Sequence, residues 1–441
     1  MNDAASLVRR FDEVRSHTEM LAAPLSPEDQ TVQSMADVSP TKWHRAHVTW
    51  FFETFLLAEH ESGFAPYQDK YWFLFNSYYE ALGPRFARAE RGVITRPGAH
   101  DVGVYRGNVD ARVRDLVSTL DEGTVDKLAP TIELGFHHEQ QHQELLLMDI
   151  KHVLSMNPLR PAYVEPAGGP RSPSATDQLG WVDVAGGLVE IGHEGSAFSF
   201  DNELPRYQAW LEPYRLADRL VTNGEWLEFM ADGGYARPEL WLSDGWARVK
   251  AEGWRAPFYW EELDGVWFEH TLHGTWPVDL GLPACHVSHY EADAYASWAG
   301  KRLPTESEWE HAVRNDQPGE ITGNLANTST YHPQSAGPTT GGLRQAFGDC
   351  WEWTSSAYLP YPGFHPAEGA IGEYNGKFMS NQMVLRGGCA LTPPGHARGT
   401  YRNFFPPGAR WALSGVRLAD GGARPDNQPS DQPTNQPAGA L

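Results

Sequence analysis

The sequence predicts two domains of different class, a four-helix bundle followed by an α+β domain with few regular elements and long ordered loops. Two observations predict this division. Apolar residues recur at three- and four-residue spacing through residues 1–165. From residue 180 onward, short β-like runs alternate with many Gly and Pro and hold most of the 17 tryptophans. A length of 441 residues suits two or three domains, at roughly 100–200 residues each.

Four segments carry the helical pattern of the first domain, which we place at residues 1–165. Connections that contain Pro and Gly separate these segments, as is typical of a four-helix bundle. Pro158 and Pro161 end the last helix. The predicted helices cover residues 6–21, 44–60, 112–120 and 131–156.

The rest of the chain divides by composition. A Pro-, Gly- and Ser-rich stretch predicts a linker at 166–178, and the second domain follows at 179–420. Two short amphipathic helices are predicted there, one that Thr222 or Asn223 caps and one that Gly300 ends. The tail at 421–441 has a repeating xxQP pattern without apolar residues, which predicts disorder.

Composition excludes several classes of function. The net charge of −22 argues against nucleic acid or an anionic membrane as the main partner. Three cysteines are too few for a disulfide framework. No apolar run approaches the 18 residues of a membrane span, and the N-terminus lacks the apolar core of a secretion signal, so we expect a cytoplasmic protein. The oligomeric state stays open.

The chemistry is concentrated in the segment HHEQQHQE, residues 137–144. His138 and His142 stand at i and i+4, so both imidazoles lie on one face of a helix and could share a metal. His137 points about a hundred degrees away from the face that carries His138 and His142. Glu144 also lies off that face, where it could support a ligand without being one. Histidine is also common as a polar core residue, so the spacing alone leaves both interpretations open.

A second amphipathic helix offers a third ligand. It carries His44 and His47, and we expect His47 to face inward because it lies among apolar residues. Facing helices of bundles commonly build metal sites. Three neutral imidazoles leave positions open on the ion, which is typical of a catalytic site, and the residues alone leave zinc and iron equally possible.

Two sets of motifs resemble known families. PTKWHRAH, FNSYYEALGPRFARAERG and HHEQQHQELLLMDIKH resemble the DinB-type bundle of the ergothioneine-biosynthesis sulfoxide synthases, the EgtB family. HVSHYEADAYASWAGKRLPTESEWEHAVR, GDCWEWTSSAYLPYPGF, LRGGCALT and SGVRLAD resemble the formylglycine-generating-enzyme fold, a C-type-lectin-like domain. The resemblance implies a non-haem Fe(II) enzyme that uses O2 to join a thiol sulfur to C2 of the imidazole of hercynine, giving a sulfoxide.

The resemblance also implies roles for individual residues. The iron ligands fall on His47, His138 and His142, and Gln141 falls near the substrate imidazole. A proton donor of tyrosine type is expected beside the iron, with Tyr78 and Tyr79 as the candidates; the other interpretation is that both are aromatic core residues.

The substrate pocket is expected in the stretch YRNFFPP. Asn403 would bind the hercynine carboxylate, and Phe404 and Phe405 would lie near the substrates and hold the trimethylammonium group. Family members with Asn-Trp-Asp at this place use γ-glutamylcysteine, and the acidic residue is absent here. Arg85 and Arg88 nevertheless match carboxylate-binding arginines of those enzymes, or else belong to a solvated helix face. The thiol donor, cysteine or γ-glutamylcysteine, therefore stays open.

Three alternatives accompany this hypothesis. A relative that uses a selenosugar with hercynine, in selenoneine synthesis, would change only the donor pocket. A zinc-dependent thiol transferase of the wider DinB group would fit the histidines but not the second domain. A non-catalytic module would bind a small molecule around structural zinc. Formylglycine-generating chemistry is disfavoured, because it needs a reactive cysteine pair and Cys389 stands alone in its motif.

Overall fold

The computed structural model describes residues 3–165, 174, 177–317, 319, 321–339 and 341–421. The predicted linker lies mostly outside these residues, and so does the predicted tail after Gly421. Among the helices of these ranges, none combines the length and the apolar content needed to cross a membrane.

The N-terminal region is helical, as predicted. A π-helical turn at Glu53–Leu57 continues the second helix into the third. The helices are α1 (Ala4–Ala22), α2 (Thr41–Phe52), α3 (Ala58–His60), α4 (Tyr71–Phe75), α5 (Ala99–Thr119) and α6 (Glu122–Met156). The long helices α1, α2, α5 and α6 pack against one another around an apolar core.

The four long helices all begin before the predicted residues, and α5 and α6 do so by more than two turns. Helix α5 starts at Ala99, where two glycines interrupt the sequence but Val102, Tyr105 and Val109 still share one buried face. Helix α6 starts at Glu122 and passes through Pro130, and Asp121 caps it by accepting a hydrogen bond from the Thr124 backbone N–H at 3.1 Å. Tertiary packing therefore outweighs local propensity in both helices.

The C-terminal region mixes short helices and short strands. Its helices are α7 (Asn223–Ala231), α8 (Ser243–Glu252), α9 (His289–Trp298) and α10 (Glu306–Asp316), of which α8 and α10 were not predicted. The strands are β1 (Trp181–Val184), β2 (Gly187–Ile191), β3 (Tyr207–Leu211), β4 (Tyr214–Ala217), β5 (Trp260–Leu263), β6 (Val266–Thr271), β7 (Gly274–Pro277), β8 (Trp351–Ala357), β9 (Met383–Arg386), β10 (Asn403–Phe405), β11 (Ser414–Gly415) and β12 (Ala419–Gly421).

The strands of the described ranges form small sheets joined by long loops. Their orders are β1-β4-β12, β10-β9-β8-β11, β2-β3 and β5-β6-β7. Strand β11 pairs with β8 in parallel, and the other named strands pair antiparallel. In the four-stranded sheet, β10 is an edge strand, with Phe404 opposite Val384.

Three helices of this region begin with a capping box. Thr222, Ser288 and Thr305 each accept a hydrogen bond from the backbone N–H three residues on, and the Glu at that position returns to the capping residue. Thr222 was one of the two predicted caps. The same three glutamates also bind arginines, in the pairs Arg219–Glu225, Arg410–Glu291 and Arg302–Glu308.

The two regions share one apolar core. It joins Phe136 and Leu147 of α6 to Trp351 and Trp353 of β8 without interruption. Both tryptophans are buried, as expected of residues that pack loops. Helix α6 is therefore the element through which the bundle contacts the C-terminal region.

Candidate metal centre

Helix α6 distributes the HHEQQHQE segment over three faces. Glu139 and Gln143 point into the bundle, where each binds a side chain of α1. His138 and His142 point toward α2. The remaining polar residues contact the C-terminal region: His137, Gln140, Gln141 and Glu144. The helical period thus places the residues of one segment in three surroundings: the bundle interior, the candidate metal centre and the contact with the C-terminal region.

The third imidazole is held between two indoles. His47 stacks on Trp43 at 4.6 Å and on Trp50 at 5.6 Å between ring centroids. Its Nδ1 lies 2.6 Å from the Phe75 carbonyl oxygen, which fixes the proton on Nδ1 and leaves Nε2 free. The guanidinium of Arg91 covers the other face of Trp43. The orientation of His47 is therefore set before any ligand binds.

His47, His138 and His142 converge as predicted. Their ligand atoms lie within 4.8 Å of one another, and His47 Nε2 is 3.1 Å from His138 Nε2. Burial lowers the pKa of His138 to about 3, and burial with the neighbouring imidazoles lowers the pKa of His47 and His142 far below the usual range. All three are neutral, which is the form that binds a metal. Within the described residues, no other group of His, Cys, Asp and Glu side chains meets this spacing.

Beside this site, a buried carboxylate anchors α6 inside the bundle. Glu139 accepts hydrogen bonds from Arg15 at 2.8 Å, Arg106 at 2.9 Å and Thr18 at 2.6 Å. Burial alone would raise the pKa of Glu139, but the two arginines more than offset it and the pKa is lowered. The ionised Glu139 fixes the rotation of α6 at the residue next to His138.

The C-terminal region reaches the same helix with aromatic and hydroxyl groups. Gln141 donates from Nε2 to the Tyr401 hydroxyl at 2.7 Å, and its Oε1 accepts from the Tyr374 hydroxyl. Trp351 Nε1 donates to Glu144 Oε1 at 2.7 Å. Burial raises the pKa of Glu144 to about 7. These contacts hold the C-terminal region against α6, beside the three histidines.

Tyr374 is a residue that the sequence reasoning missed. Its ring lies 5.7 Å from the His138 ring and 5.5 Å from Phe200, on which it stacks. It follows a short 3₁₀ turn at Ala370–Glu373 in a Gly-containing loop without periodicity. No local signal marks it, because only the tertiary fold brings this loop to α6.

Tyr78 and Tyr79 lie near Tyr374. Tyr78 is 6.0 Å from the Tyr374 ring and 4.7 Å from the Tyr79 ring, while Tyr79 is fully buried against Phe55 at 5.0 Å. Burial raises the pKa of all three tyrosines, so each keeps its proton at neutral pH. The structure therefore brings three protonated phenols to one wall of the site.

Of the predicted pocket residues, Phe404 continues this aromatic wall. Phe404 stacks on Tyr358 at 4.0 Å and lies 5.8 Å from Phe378, which in turn is 5.3 Å from Tyr78. Phe405 packs against Trp411 at 5.4 Å. The neighbouring Asn403 is half-buried, and its Oδ1 accepts from the Phe404 backbone N–H at 2.9 Å.

Arg85 and Arg88 lie at the surface. Arg85 Nε donates to Glu80 at 2.7 Å, and Arg88 donates to the Asp37 carbonyl. Both positively charged groups already have partners, and both are exposed.

A cleft of about 430 Å³ lies between α6 and two loops of the C-terminal region. Leu134 lines it on the α6 side, and Phe198, Phe200 and Asn375 line it opposite. Tyr374 lines this cleft and also lies beside His138 at the candidate metal centre. A volume of this size suits a small molecule, and junctions of domains commonly bind one.

The fold and the site define a class: a helical bundle that gathers three neutral imidazoles, closed by a loop-rich domain. A family model described as a sulfatase-modifying factor enzyme 1-like domain matches residues 170–421. The formylglycine-generating enzyme of Streptomyces coelicolor is 28% identical over 289 residues, 54% of this chain and 86% of that protein. The predicted fold class of the C-terminal domain is confirmed.

Longer matches cover both domains. The hercynine oxygenase of Mycolicibacterium smegmatis is 33% identical over 409 residues, which are 87% of this chain and 91% of that protein. The hercynine oxygenase of Mycobacterium tuberculosis is 33% identical over 340 residues, 70% of this chain and 77% of that protein. The chain belongs to the hercynine oxygenase family.

Proposed function

We propose that this chain is a non-haem iron(II) enzyme of ergothioneine biosynthesis, which uses O2 to join a thiol sulfur to C2 of the hercynine imidazole and yields a sulfoxide. The observation that carries the proposal is the convergence of His47, His138 and His142 at the domain junction of a hercynine oxygenase relative. Cysteine and γ-glutamylcysteine are the candidate thiols.

The donor set fits iron(II). Three neutral imidazoles leave the ion its full charge and leave positions free for other ligands. Bound iron(II) would supply electrons to O2 and would favour the thiolate form of a coordinated thiol. His47 is held by the Phe75 carbonyl and two indoles, so its Nε2 points at the site without a ligand to organise it.

Tyr374 is the proton donor we favour, beside the predicted Tyr78 and Tyr79. Its ring faces His138, its hydroxyl is anchored on Gln141, and burial keeps it protonated. Gln141 stands one residue before the ligand His142, so it links the phenol to the helix that carries the metal. Tyr79 lies deeper, packed against Phe55.

The substrate pocket proposal rests on the aromatic wall from Tyr78 to Phe404. Aromatic faces suit the trimethylammonium group of hercynine, at about 0.5–2 kcal/mol per cation–π contact. Asn403 would supply an amide donor for the carboxylate. The carboxylates of the thiol donor would have to draw Arg85 or Arg88 from their present partners.

An assay of O2 uptake tests the proposal. Protein prepared without O2 and loaded with Fe(II) is offered hercynine with cysteine, γ-glutamylcysteine or a selenosugar. We expect O2 consumption that depends on hercynine, and a product mass equal to both substrates plus one oxygen less two hydrogens. The selenosugar arm tests the selenoneine alternative. If no donor supports hercynine-dependent O2 uptake, the proposal fails.

Variants assign the roles. His138→Ala should lose both iron and activity. Tyr374→Phe should keep iron and lose activity by about 10²–10⁴-fold, the range of a general acid. Tyr78→Phe and Tyr79→Phe are the matched comparisons. The variant that keeps its iron and loses the most activity identifies the proton donor. A His138→Ala protein with stoichiometric iron would contradict the ligand assignment.

A further inference from the structure

Behind His142, a chain of hydrogen bonds runs to a buried carboxylate. His142 Nδ1 lies 2.9 Å from His44 Nδ1, and His44 Nε2 lies 2.9 Å from Asp149 Oδ2. The Ser39 backbone N–H donates to the same carboxylate oxygen at 2.8 Å. His44 and Asp149 are both at most 3% exposed. The sequence reasoning set His44 aside, yet it is as buried as a ligand.

The hydrogen bonds determine which nitrogen carries each proton. Asp149 accepts, so His44 Nε2 carries a proton and donates. When the His44 imidazole is in its neutral form, its Nδ1 is an acceptor, and His142 donates to it from its own Nδ1. His142 Nε2 is then left unprotonated, and the His142 ring lies 4.7 Å from the rings of His47 and His138. Both nitrogens of His44 are used, so His44 cannot itself join the metal.

Asp149 makes its ion-pair contact with His44, and among the described residues no Lys or Arg lies within ion-pair distance of it. Arg91 acts on the Asp149 charge from a greater distance. The group in direct contact with the buried carboxylate is therefore the His44 imidazole, which donates to it and is polarised by it. That polarisation passes through His44 to the ring of His142.

We propose that His44 and Asp149 are positioning residues for His142, forming a carboxylate–imidazole–imidazole chain that fixes its tautomer and raises its basicity toward the metal. The inference rests on the proposed function only for the identity of the ion. Simple carboxylate–histidine pairs behind metal ligands are worth about 10–100-fold in affinity. Here the carboxylate acts from one residue further away.

Metal affinity measures the effect directly. Competition with a chelator gives the dissociation constant for Fe(II), and for Co(II) as a second probe. His44→Phe keeps a ring of similar size and removes both hydrogen bonds, so we expect binding about 10–100-fold weaker. Asp149→Asn removes the charge and should weaken binding less. In His44→Gln, the amide can accept from His142 and donate to Asp149, so affinity should recover toward that of the unaltered protein.

His152→Phe is the matched control. His152 lies on the same helix, is similarly buried and bonds Ser34 Oγ at 2.6 Å. It lies near the charge of Asp149 but makes no hydrogen bond to Asp149 or to His142, so it tests whether the hydrogen bonds of His44 are what matters. Its variant should bind metal as the unaltered protein does. Melting curves of the metal-free proteins verify that each variant folds. If His44→Phe does not fold, the metal affinities of Asp149→Asn and His44→Gln test the inference instead.

A spectroscopic readout separates positioning from general destabilisation. In the Co(II)-loaded protein, an Nε2-bound histidine shows a shifted N–H proton signal from Nδ1. We expect the Nδ1 proton of His142 to exchange slowly with solvent in the unaltered protein and faster in His44→Phe. Folded His44→Phe that binds Co(II) within twofold of the unaltered protein would overturn the inference. Metal affinity and proton exchange are measured without O2 uptake. A failure of this inference can therefore be distinguished from a failure of the proposed reaction.

Discussion

The bundle and the C-terminal domain bury their polar groups by different means. In the bundle, the helices satisfy their own backbones, and the buried charges converge on Glu139. In the C-terminal domain, arginine side chains bind a carboxylate and loop carbonyls together. Arg417 pairs with Glu352 while donating to the Ala217 and Arg344 carbonyls.

The arginines of the C-terminal domain replace regular secondary structure. Arg386 donates to the Thr400 and Tyr401 carbonyls and pairs with Glu310. A loop leaves carbonyls without ladder partners, and a buried carbonyl without a donor is costly. The guanidinium, with five donors in a rigid fork, can satisfy several at once. Long loops thereby become rigid enough to hold Tyr401 and Tyr374 against α6.

The largest expected effect is at Arg417–Glu352, a fully buried ion pair whose arginine also binds two carbonyls. Arg417→Met leaves Glu352 as a buried charge and strips two carbonyls of their donor. We expect a loss of about 3–5 kcal/mol in the free energy of unfolding, measured with denaturant. The double variant Arg417→Met, Glu352→Leu should recover part of it. A single-variant loss below about 1 kcal/mol would contradict the role we give these arginines.

Acidification should destabilise both domains through their buried neutral histidines, and His289 allows the C-terminal contribution to be tested by itself. Burial lowers the pKa of His289 to about 4 from 6.5. As pH falls, the unfolded chain takes up the proton first, so this contribution is complete above about pH 6.5 and lost toward about pH 4, by about 3 kcal/mol. His289→Phe should flatten the pH dependence of unfolding in that window. Parallel curves for the two proteins would refute this.

The bundle should tolerate loss of its central charge better. In Glu139→Gln, Arg15 keeps its pair with Asp110 and Arg106 keeps its pair with Glu19. We expect a loss of about 1–3 kcal/mol in the same denaturant measurement. Glu133→Gln, whose partner Arg10 is partly exposed, is the control and should change stability by under about 1 kcal/mol. A loss for Glu139→Gln above that of Arg417→Met would reverse the comparison.

Helix caps should give the smallest effects. Thr222→Ala removes one half of a capping box whose Glu225 also binds Arg219, and should cost about 1 kcal/mol. Asp121→Ala removes the exposed cap of α6 and should cost less. Denaturant midpoints of the two variants make the test, and a larger loss for Asp121→Ala would be the opposite of what the comparison predicts.

Much of the bundle site was predictable. The i, i+4 spacing of His138 and His142 and the apolar neighbours of His47 selected three side chains that the fold brings together. The apolar neighbours of His47 favour it over His44 as the inward-facing residue, and no local pattern connects His44 to Asp149, which lies 105 residues away in sequence. The capping residue Thr222 was predictable because a cap is a local interaction.

The sequence by itself determined the class of each domain, the presence of the long bundle helices and the i, i+4 spacing of His138 and His142, because helical periodicity and capping depend on residues close together in the chain. Only the tertiary structure decided that Tyr374 faces His138, that Tyr401 anchors Gln141 and that Asp149 stands behind His44. Loops carry no period, so their positions depend on contacts across hundreds of residues. In this protein, buried arginines fix the positions of the loops by binding their carbonyls and a carboxylate at the same time.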